Sequence, residues 1–176
     1  MKSNSTDDSW RLSAIRVTKY DSQYRNEHGH YDHSDWTSFS DIGKTFDNSR
    51  LTIEEYLKIE SKYAAVAKHF FLSHRCSQIT VRELTKFPYD NQDIFCNHLE
   101  VRLTYDSLSE SVIVRSDNIE SVVKLVLRGV IWCELHCTSF DNVAVRFGYD
   151  LYMYLNSPNE IADTISYLRQ IGLFAD

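Results

Sequence analysis

Three histidines and two aspartates fall within eight residues of the chain. They are His28, His30, Asp32, His33 and Asp35. Imidazole and carboxylate groups bind zinc and other transition metals. Their spacing matches no regular metal motif and the segment has no helical or strand period, which favours a solvated loop. A metal-binding protein or metal-dependent hydrolase using His28, His30, His33 and Asp35 is kept as the alternative.

The four cysteines predict structural roles rather than chemistry. Cys133 and Cys137 lie four residues apart in a predicted strand, about 13 Å at roughly 3.3 Å per residue, too far to share a zinc ion. Cys76 follows His74 at the end of a predicted helix, where the helix dipole disfavours a thiolate. The first residues are polar, so we expect no signal peptide, a cytoplasmic location and free thiols.

Other signatures of chemistry are missing from the sequence. It contains no Walker A motif, dinucleotide fingerprint, zincin motif or nucleophile elbow. We therefore expect a non-enzymatic protein without a cofactor. The net charge of −6 argues against nucleic acid as a partner and permits a basic protein. No apolar run is long enough for a membrane span.

Aromatic and acidic residues occur together at two places, which is a pattern of protein interfaces. One is the long segment Asp21–Arg50, and the other is the second face of the predicted strand Val143–Leu155. Packing under a helix or against the body is an equal alternative. The residues are Tyr24, Tyr31, Trp36, Phe39, Asp32, Asp35 and Asp41, and then Asp150, Tyr152 and Tyr154.

Hydrophobic periodicity predicts a tail at residues 1–9 and one α+β domain at residues 10–176, an antiparallel sheet with helices packed mainly on one face. The predicted strands are Trp10–Tyr20, Val130–Cys137 and Val143–Leu155. The predicted helices are Leu51–His74, Val81–Phe87, Ile119–Arg128 and one from Ser157 to near Gly172. A weak hairpin is expected within Tyr89–Arg115. Capping pairs are expected at Thr52/Glu55, Thr80/Glu83, Asp117/Glu120 and Ser157/Glu160.

Several blocks between Arg11 and Leu155 resemble a group of small bacterial proteins, the immunity proteins of polymorphic toxin systems, including contact-dependent growth inhibition. The blocks are Asp35-Trp36-Thr37-Ser38-Phe39-Ser40-Asp41-Ile42-Gly43, Glu54-x2-Leu57-x2-Glu60-x2-Tyr63, Leu127-Arg128-x2-Ile131-Trp132-Cys133-x-Leu135 and Phe147-Gly148-Tyr149-Asp150-x-Tyr152-Met153-Tyr154.

The resemblance implies a cytoplasmic protein that binds a cognate toxin domain and occludes its active site or substrate surface. Many such toxins are nucleases with basic surfaces, which an acidic inhibitor complements. Contacts do not transfer by position, so the expected ones come from the residues: Tyr31, Asp32, Asp35 and Trp36, followed by Glu54 and Asp150. A regulatory module with an unrelated partner is a third hypothesis.

Overall fold

The computed structural model describes residues 14–28, 30–88 and 98–176 of the chain. The predicted tail at residues 1–9 lies outside these ranges. The strands are β1 (Ile15–Thr18), β2 (Thr45–Phe46), β3 (Ser49–Arg50), β4 (Gln78–Lys86), β5 (Ile113–Arg115), β6 (Ile131–Cys137), β7 (Ala144–Phe147), β8 (Met153–Asn156) and β9 (Phe174–Ala175). The helices are α1 (Ile53–Ser73), α2 (Leu99–Ser107), α3 (Ile119–Leu127) and α4 (Ala162–Gln170).

Seven strands form one sheet in the order β5-β4-β6-β7-β8-β1-β9, and every neighbouring pair is antiparallel. Strands β2 and β3 form a separate hairpin. Alternate residues of the sheet, such as Val81, Leu135 and Val145, are buried under the helices. The α+β class with helices on one face is therefore confirmed. Among the described helices, none has the length and apolar character needed to cross a membrane.

Helix α1 forms the centre of the helical layer and begins as its sequence predicts. The Thr52 hydroxyl accepts the Glu55 amide at 3.2 Å, and the Glu55 carboxylate accepts the Thr52 amide at 2.9 Å. This reciprocal pair satisfies two of the amides left open at a helix start. One apolar stripe of α1, including Tyr63 and Phe70, is fully buried against α3 and the sheet.

A buried ion pair joins α1 to the end of α3. The Arg128 guanidinium donates to both Glu60 oxygens, at 2.6 and 2.7 Å, and the two side chains are 0% and 1% exposed. Bidentate geometry compensates the desolvation that burying two charges costs. Gly129, with φ of +71°, then ends α3 in the left-handed conformation expected of a C-terminal cap.

The predicted helix Val81–Phe87 is wrong, because these residues continue strand β4. Ile79 and Val81 alternate into the core, and the Thr80/Glu83 capping pair does not form. Glu83 instead occupies a β-bulge with φ of +55°. The Glu110 carboxylate accepts the free amides of Glu83 and Leu84 at 3.2 and 2.7 Å, which stabilises the bulge.

The expected hairpin within Tyr89–Arg115 is half wrong. Residues 89–97 lie outside the described ranges, and the following segment is helix α2, built from good helix formers. The alternation of Leu99, Val101 and Leu103 predicts a strand, but Leu99 and Leu103 are one helical turn apart and exposed, while Val101 is buried. Only the strand part is confirmed, as β5.

The predicted strand Val143–Leu155 is two strands, β7 and β8, joined by a turn. Asp150 and Leu151 both have positive φ, and the Tyr152 amide donates to the Tyr149 carbonyl at 3.1 Å. Positive φ at both central residues is characteristic of a type I′ turn, whose twist matches that of the two strands of a hairpin. Such turns usually contain glycine or asparagine. The sequence of the β7–β8 turn therefore gave no turn signal. The predicted faces survive because the hairpin pairs odd residues with odd, as in Phe147 with Met153.

One predicted helix start and two predicted capping pairs are also wrong, whereas α3 begins at Ile119 as predicted. Helix α4 begins at Ala162, not after Ser157, and the Ser157 hydroxyl accepts the Asn159 amide at 3.0 Å in a separate turn. Helix α3 follows a short 3-10 turn, and Asp117 binds Arg115 at 3.2 Å instead of capping the helix.

The expectation of free thiols is wrong for two of the four cysteines. Cys76, just after α1, and Cys137, at the end of β6, form a disulfide across 61 residues of sequence. Cys76 lies outside the predicted strand, so the spacing of Cys133 and Cys137 along that strand gives no indication of this pair. Cys133 is a free, buried core residue as expected, and burial raises the pKa of its thiol to about 12. Cys96 lies outside the described residues.

Candidate partner-binding surface

The segment Asp21–Arg50 is an ordered structure fixed by local hydrogen bonds. Asn26 organises its first part, because its side-chain oxygen accepts the amides of His28 and His30, both at 3.0 Å. Its side-chain nitrogen donates to Asp32 at 3.0 Å. The bridge between Arg25 and Tyr31 closes this turn. One asparagine thus fixes both ends of the exposed tip.

Lys19 connects the segment Asp21–Arg50 to the rest of the domain. Its ammonium lies 2.5 Å from the Asp35 carboxylate, and only 5% of its side chain is exposed. The same ammonium lies 4.0 Å above the Trp36 ring and 4.5 Å from the Tyr20 ring. Burial lowers the pKa of Lys19, and the ion pair with Asp35 opposes that shift. The ion pair and the cation–π contacts thus stabilise the same buried group, the Lys19 ammonium.

The second part of the segment packs against α1. The rings of Trp36 and Phe39 lie 5.5 and 5.1 Å from the ring of Tyr56. Asp41 then stabilises a short turn by accepting the amides of Thr37 and Ser38 at 2.8 and 3.1 Å. Burial raises the pKa of Asp41, but Lys44 and these two amides outweigh it and hold the pKa at about 2.

The second face of the sheet carries a row of polar residues that runs across five strands and ends at Asp176, just after β9. Backbone register and ion pairs place them side by side. Arg16 contacts Asp176 through two bonds of 2.9 and 2.6 Å, which holds the pKa of Asp176 below its usual range. We call this row the polar sheet face; its members are Arg82, Glu134, Arg146, Tyr154, Arg16 and Asp176.

Gly148 allows Tyr154 to lie flat on the polar sheet face. A Cβ atom added at Gly148 would lie 3.0 Å from the Tyr154 ring and 3.4 Å from the Tyr152 Cβ. A side chain at this position would therefore displace the ring. This close approach explains why a glycine stands between the bulky residues of β7 and β8.

Aromatic and charged contacts join the segment to the polar sheet face. The Tyr20 ring lies 5.9 Å from the Tyr152 ring, and Arg25 reaches Asp176 at 3.4 Å. The side chains that remain on the outside form what we call the loop surface. It consists of exposed Tyr24, Glu27, Asp32 and Asp47 with half-buried Tyr31 and Asp35.

The loop surface is acidic. Residues 21–50 contain six carboxylates and three basic side chains. Two of the carboxylates, Asp35 and Asp41, pair with lysines at the base of the segment. Most of the remaining negative charge therefore points outward, where it acts on the field around the molecule.

The structure places three of the six predicted contact residues together and the other three at separate positions. Tyr31, Asp35 and Trp36 line a cleft of about 480 Å³ between the segment and α1. Asp32 is exposed at the tip, and Glu54 is exposed in the first turn of α1. Asp150 occupies the β7–β8 turn and lines a second cleft, of about 550 Å³, with Thr37 and Ser38.

The four residues of the metal alternative do not converge. Asp35 binds Lys19, while the His33 ring packs edge-on against Tyr24 at 4.6 Å. The rings of His28 and His30 lie 6.5 Å apart. Within residues 14–28, 30–88 and 98–176, no group of three or more histidine, cysteine or acidic side chains could hold a metal ion.

Sequence reasoning missed the residues that position this surface, namely Lys19, Asn26, Arg16 and Arg25. A single lysine at the end of a predicted strand, or a single asparagine in an aperiodic segment, gives no signal of its partners. The second face of the predicted strand was expected to hold Asp150, Tyr152 and Tyr154. The structure places Tyr152 and Tyr154 there, whereas Asp150 occupies the β7–β8 turn. Comparisons with models of protein families, with curated proteins and with solved structures find no match to this chain.

Proposed function

We propose that the protein is an immunity protein that binds a cognate antibacterial toxin domain, a nuclease, and occludes its active site or substrate surface. The observation that carries this proposal is the loop surface, an acidic and aromatic segment that is already ordered before any partner binds. The resemblance of the sequence blocks to immunity proteins supports it independently. Binding of this kind needs neither a cofactor nor catalysis by the loop residues.

The charge of the loop surface suits a nuclease as partner. Nucleases that bind phosphates present basic surfaces, and complementary charge raises the association rate. Asp32 is exposed at the tip, and Glu27 beside it is exposed as well. We infer that these carboxylates meet lysine and arginine side chains of the toxin, and that Glu54 and Asp150 extend the contact.

The aromatic residues divide into contacts and anchors. Tyr24 is 45% exposed and Tyr31 is half-buried, so both offer ring area to a partner. Tyrosine is enriched among residues that dominate binding energy. Trp36 and Asp35 contact Lys19, and we assign them the role of holding the loop surface in shape. An ordered surface loses less conformational entropy on binding than a mobile one.

The cytoplasm is the proposed compartment, because a nuclease toxin acts there on its substrate. The disulfide between Cys76 and Cys137 points the other way, since such bonds persist mainly in oxidising compartments. Both cysteines are 1% exposed, which limits access of reductants. Counting thiols in protein trapped by alkylation directly from cells will show which state exists there.

The test uses the toxin domain encoded next to the gene. We expect a stable complex by calorimetry and protection of cells that express the toxin. Asp32→Asn should slow association about two- to fivefold at low salt, because charges at a rim act mainly on the association rate. Asp106→Asn, an exposed aspartate of α2, is the matched control and should leave the rate unchanged. Absence of any complex with the neighbouring toxin would refute the proposal.

A further inference from the structure

Ser157 and His74 meet at the end of α1 that is remote from the loop surface. The His74 Nε2 atom lies 2.8 Å from the Ser157 hydroxyl, and the Nδ1 atom lies 2.8 Å from the Phe70 carbonyl oxygen. A carbonyl oxygen can only accept, so Nδ1 carries the hydrogen. In the neutral ring Nε2 is then an acceptor for the Ser157 proton. The sequence had marked Ser157 only as a helix cap.

This arrangement has the three parts of an activated serine: a nucleophile, a base and a group that orients the base. The Phe70 carbonyl takes the orienting place that a carboxylate has in a Ser-His-Asp triad. The hydroxyl of Ser73 also donates to this carbonyl, at 2.8 Å. Both Ser157 and His74 are half-buried, which leaves the nucleophile accessible.

The surroundings provide space and an electrostatic environment for an ester. His74 lines a cleft of about 440 Å³ together with Ala162, Asp163 and Thr164. These three residues are the first turn of α4, which no side chain caps. The positive end of the helix dipole therefore lies at the cleft that His74 lines, where it would stabilise a developing oxyanion against the opposing charge of Asp163. Glu160 lines the same cleft and disfavours an anionic substrate.

An apolar groove adjoins the serine on its other side. It has a volume of about 320 Å³ and is lined by Ser157 and by Ile15, Leu155, Ile161 and Ile165. Apolar side chains beside a nucleophile suit a short hydrocarbon chain. The two spaces share Asn159 and Ile161, so an acyl chain in the groove would place its carbonyl carbon near the Ser157 hydroxyl.

We propose that Ser157 and His74 form a catalytic dyad that hydrolyses neutral esters of short acyl chains. The Ser157 oxygen bonds to the carbonyl carbon while its proton passes to His74 Nε2. The ester C–O bond then breaks, and the alcohol leaves with that proton. Water attacks the acyl-serine, gives its proton to His74, and releases the carboxylic acid as the proton returns to Ser157.

This activity is separate from partner binding. The dyad lies at the C-terminal end of α1, and the 21 residues of that helix span about 30 Å. Thr52 and the loop surface lie toward the other end. The purified chain alone is therefore sufficient for the test, and its outcome leaves the proposed binding function unaffected.

The experiment combines covalent labelling with ester hydrolysis on the full chain. A fluorophosphonate probe should modify Ser157, as identified by peptide mass spectrometry. Hydrolysis of p-nitrophenyl acetate and butyrate should be lost in Ser157→Ala, and kcat/KM should fall about 10²–10⁴-fold in His74→Gln. Ser109→Ala, at an exposed serine elsewhere, should match the wild type.

Labelling of the unmodified chain does not depend on whether any variant folds. No adduct on Ser157, or an adduct only on another residue, would overturn the proposal. A hydrolysis rate that is equal in Ser157→Ala and the wild type would do the same. Circular dichroism of each variant separates loss of the nucleophile from loss of the fold.

Discussion

Replacing Lys19 by methionine should loosen the loop surface while leaving the sheet and helices intact. Methionine keeps most of the buried stem of Lys19 but removes the charge that contacts Asp35, Trp36 and Tyr20. The Asp35 carboxylate, 30% exposed, can be hydrated again when the segment detaches. In the Lys19→Met variant the segment Asp21–Arg50 therefore detaches more readily than in the wild type.

The expected size of this change follows from the contacts. An exposed ion pair contributes up to about 1 kcal/mol, and breaking a fully buried pair costs about 3–5 kcal/mol. The pair of Lys19 lies between these cases, and a cation–π contact adds about 1 kcal/mol. Burial of the ammonium costs desolvation energy and for that reason lowers the pKa of Lys19. Methionine does not carry this cost, so part of the lost stability is recovered. We expect a net cost of about 1–2 kcal/mol.

Hydrogen exchange measures this cost directly. The amides of Tyr24, Asn26 and Asp32 are hydrogen-bonded within the segment and report its opening. A cost of about 1–2 kcal/mol corresponds to exchange about five to thirty times faster at these amides. The control Lys58→Met removes an exposed lysine of α1 and should leave them unchanged. Unchanged exchange in Lys19→Met, or equal acceleration throughout α1, would refute the anchoring role of Lys19.

Three further predictions concern the framework. Cys137→Ser should destabilise the chain by about 3–4 kcal/mol in urea unfolding, since the disulfide closes 61 residues, and added reductant should destabilise only the wild type. Arg128→Met should cost about 3–5 kcal/mol by leaving Glu60 buried and unpaired, whereas Glu60→Leu combined with Arg128→Met should recover most of that loss; additive costs would contradict this. Because the folded pKa of Asp41 is about 2, below its ordinary 3.8, its contribution is present above pH 4 and lost as pH falls toward 2. The stability difference between wild type and Asp41→Asn should therefore shrink over that range.

The elements that could be predicted from the sequence are those whose residues decide their own structure. Helix α1 combines a capping pair at Thr52 and Glu55 with an apolar stripe, and both signals refer to residues within one helix. Strand β6 likewise alternates buried and half-buried residues from Ile131 to Leu135. Gly129 marks the end of α3 because few other residues adopt its backbone conformation.

Two of the wrong predictions arose where a distant contact overrides a local pattern. The bulge at Glu83 depends on the carboxylate of Glu110, which lies 27 residues away. The disulfide partner of Cys137 is Cys76, which precedes β4 and lies 61 residues away in the sequence. The β7–β8 turn was missed for a local reason, because its second central residue, Leu151, seldom adopts positive φ, so the pattern continued through it as one strand. For the bulge and the disulfide the deciding interaction is tertiary, and no short window of sequence contains it.

The candidate site was accessible to sequence reasoning only in its outward residues. Exposed acidic and aromatic side chains can be identified by type, as Asp32 and Tyr31 were, but the groups that hold them cannot. Fixing a backbone costs about 1–2 kcal/mol per residue, so a segment of this length stays ordered only if its anchors offset that cost. Lys19 is such an anchor and is buried beneath the segment. Asn26 is another and lies within the turn that it stabilises. A surface that is ordered in advance in this way spends less of its contact energy on ordering when a partner binds.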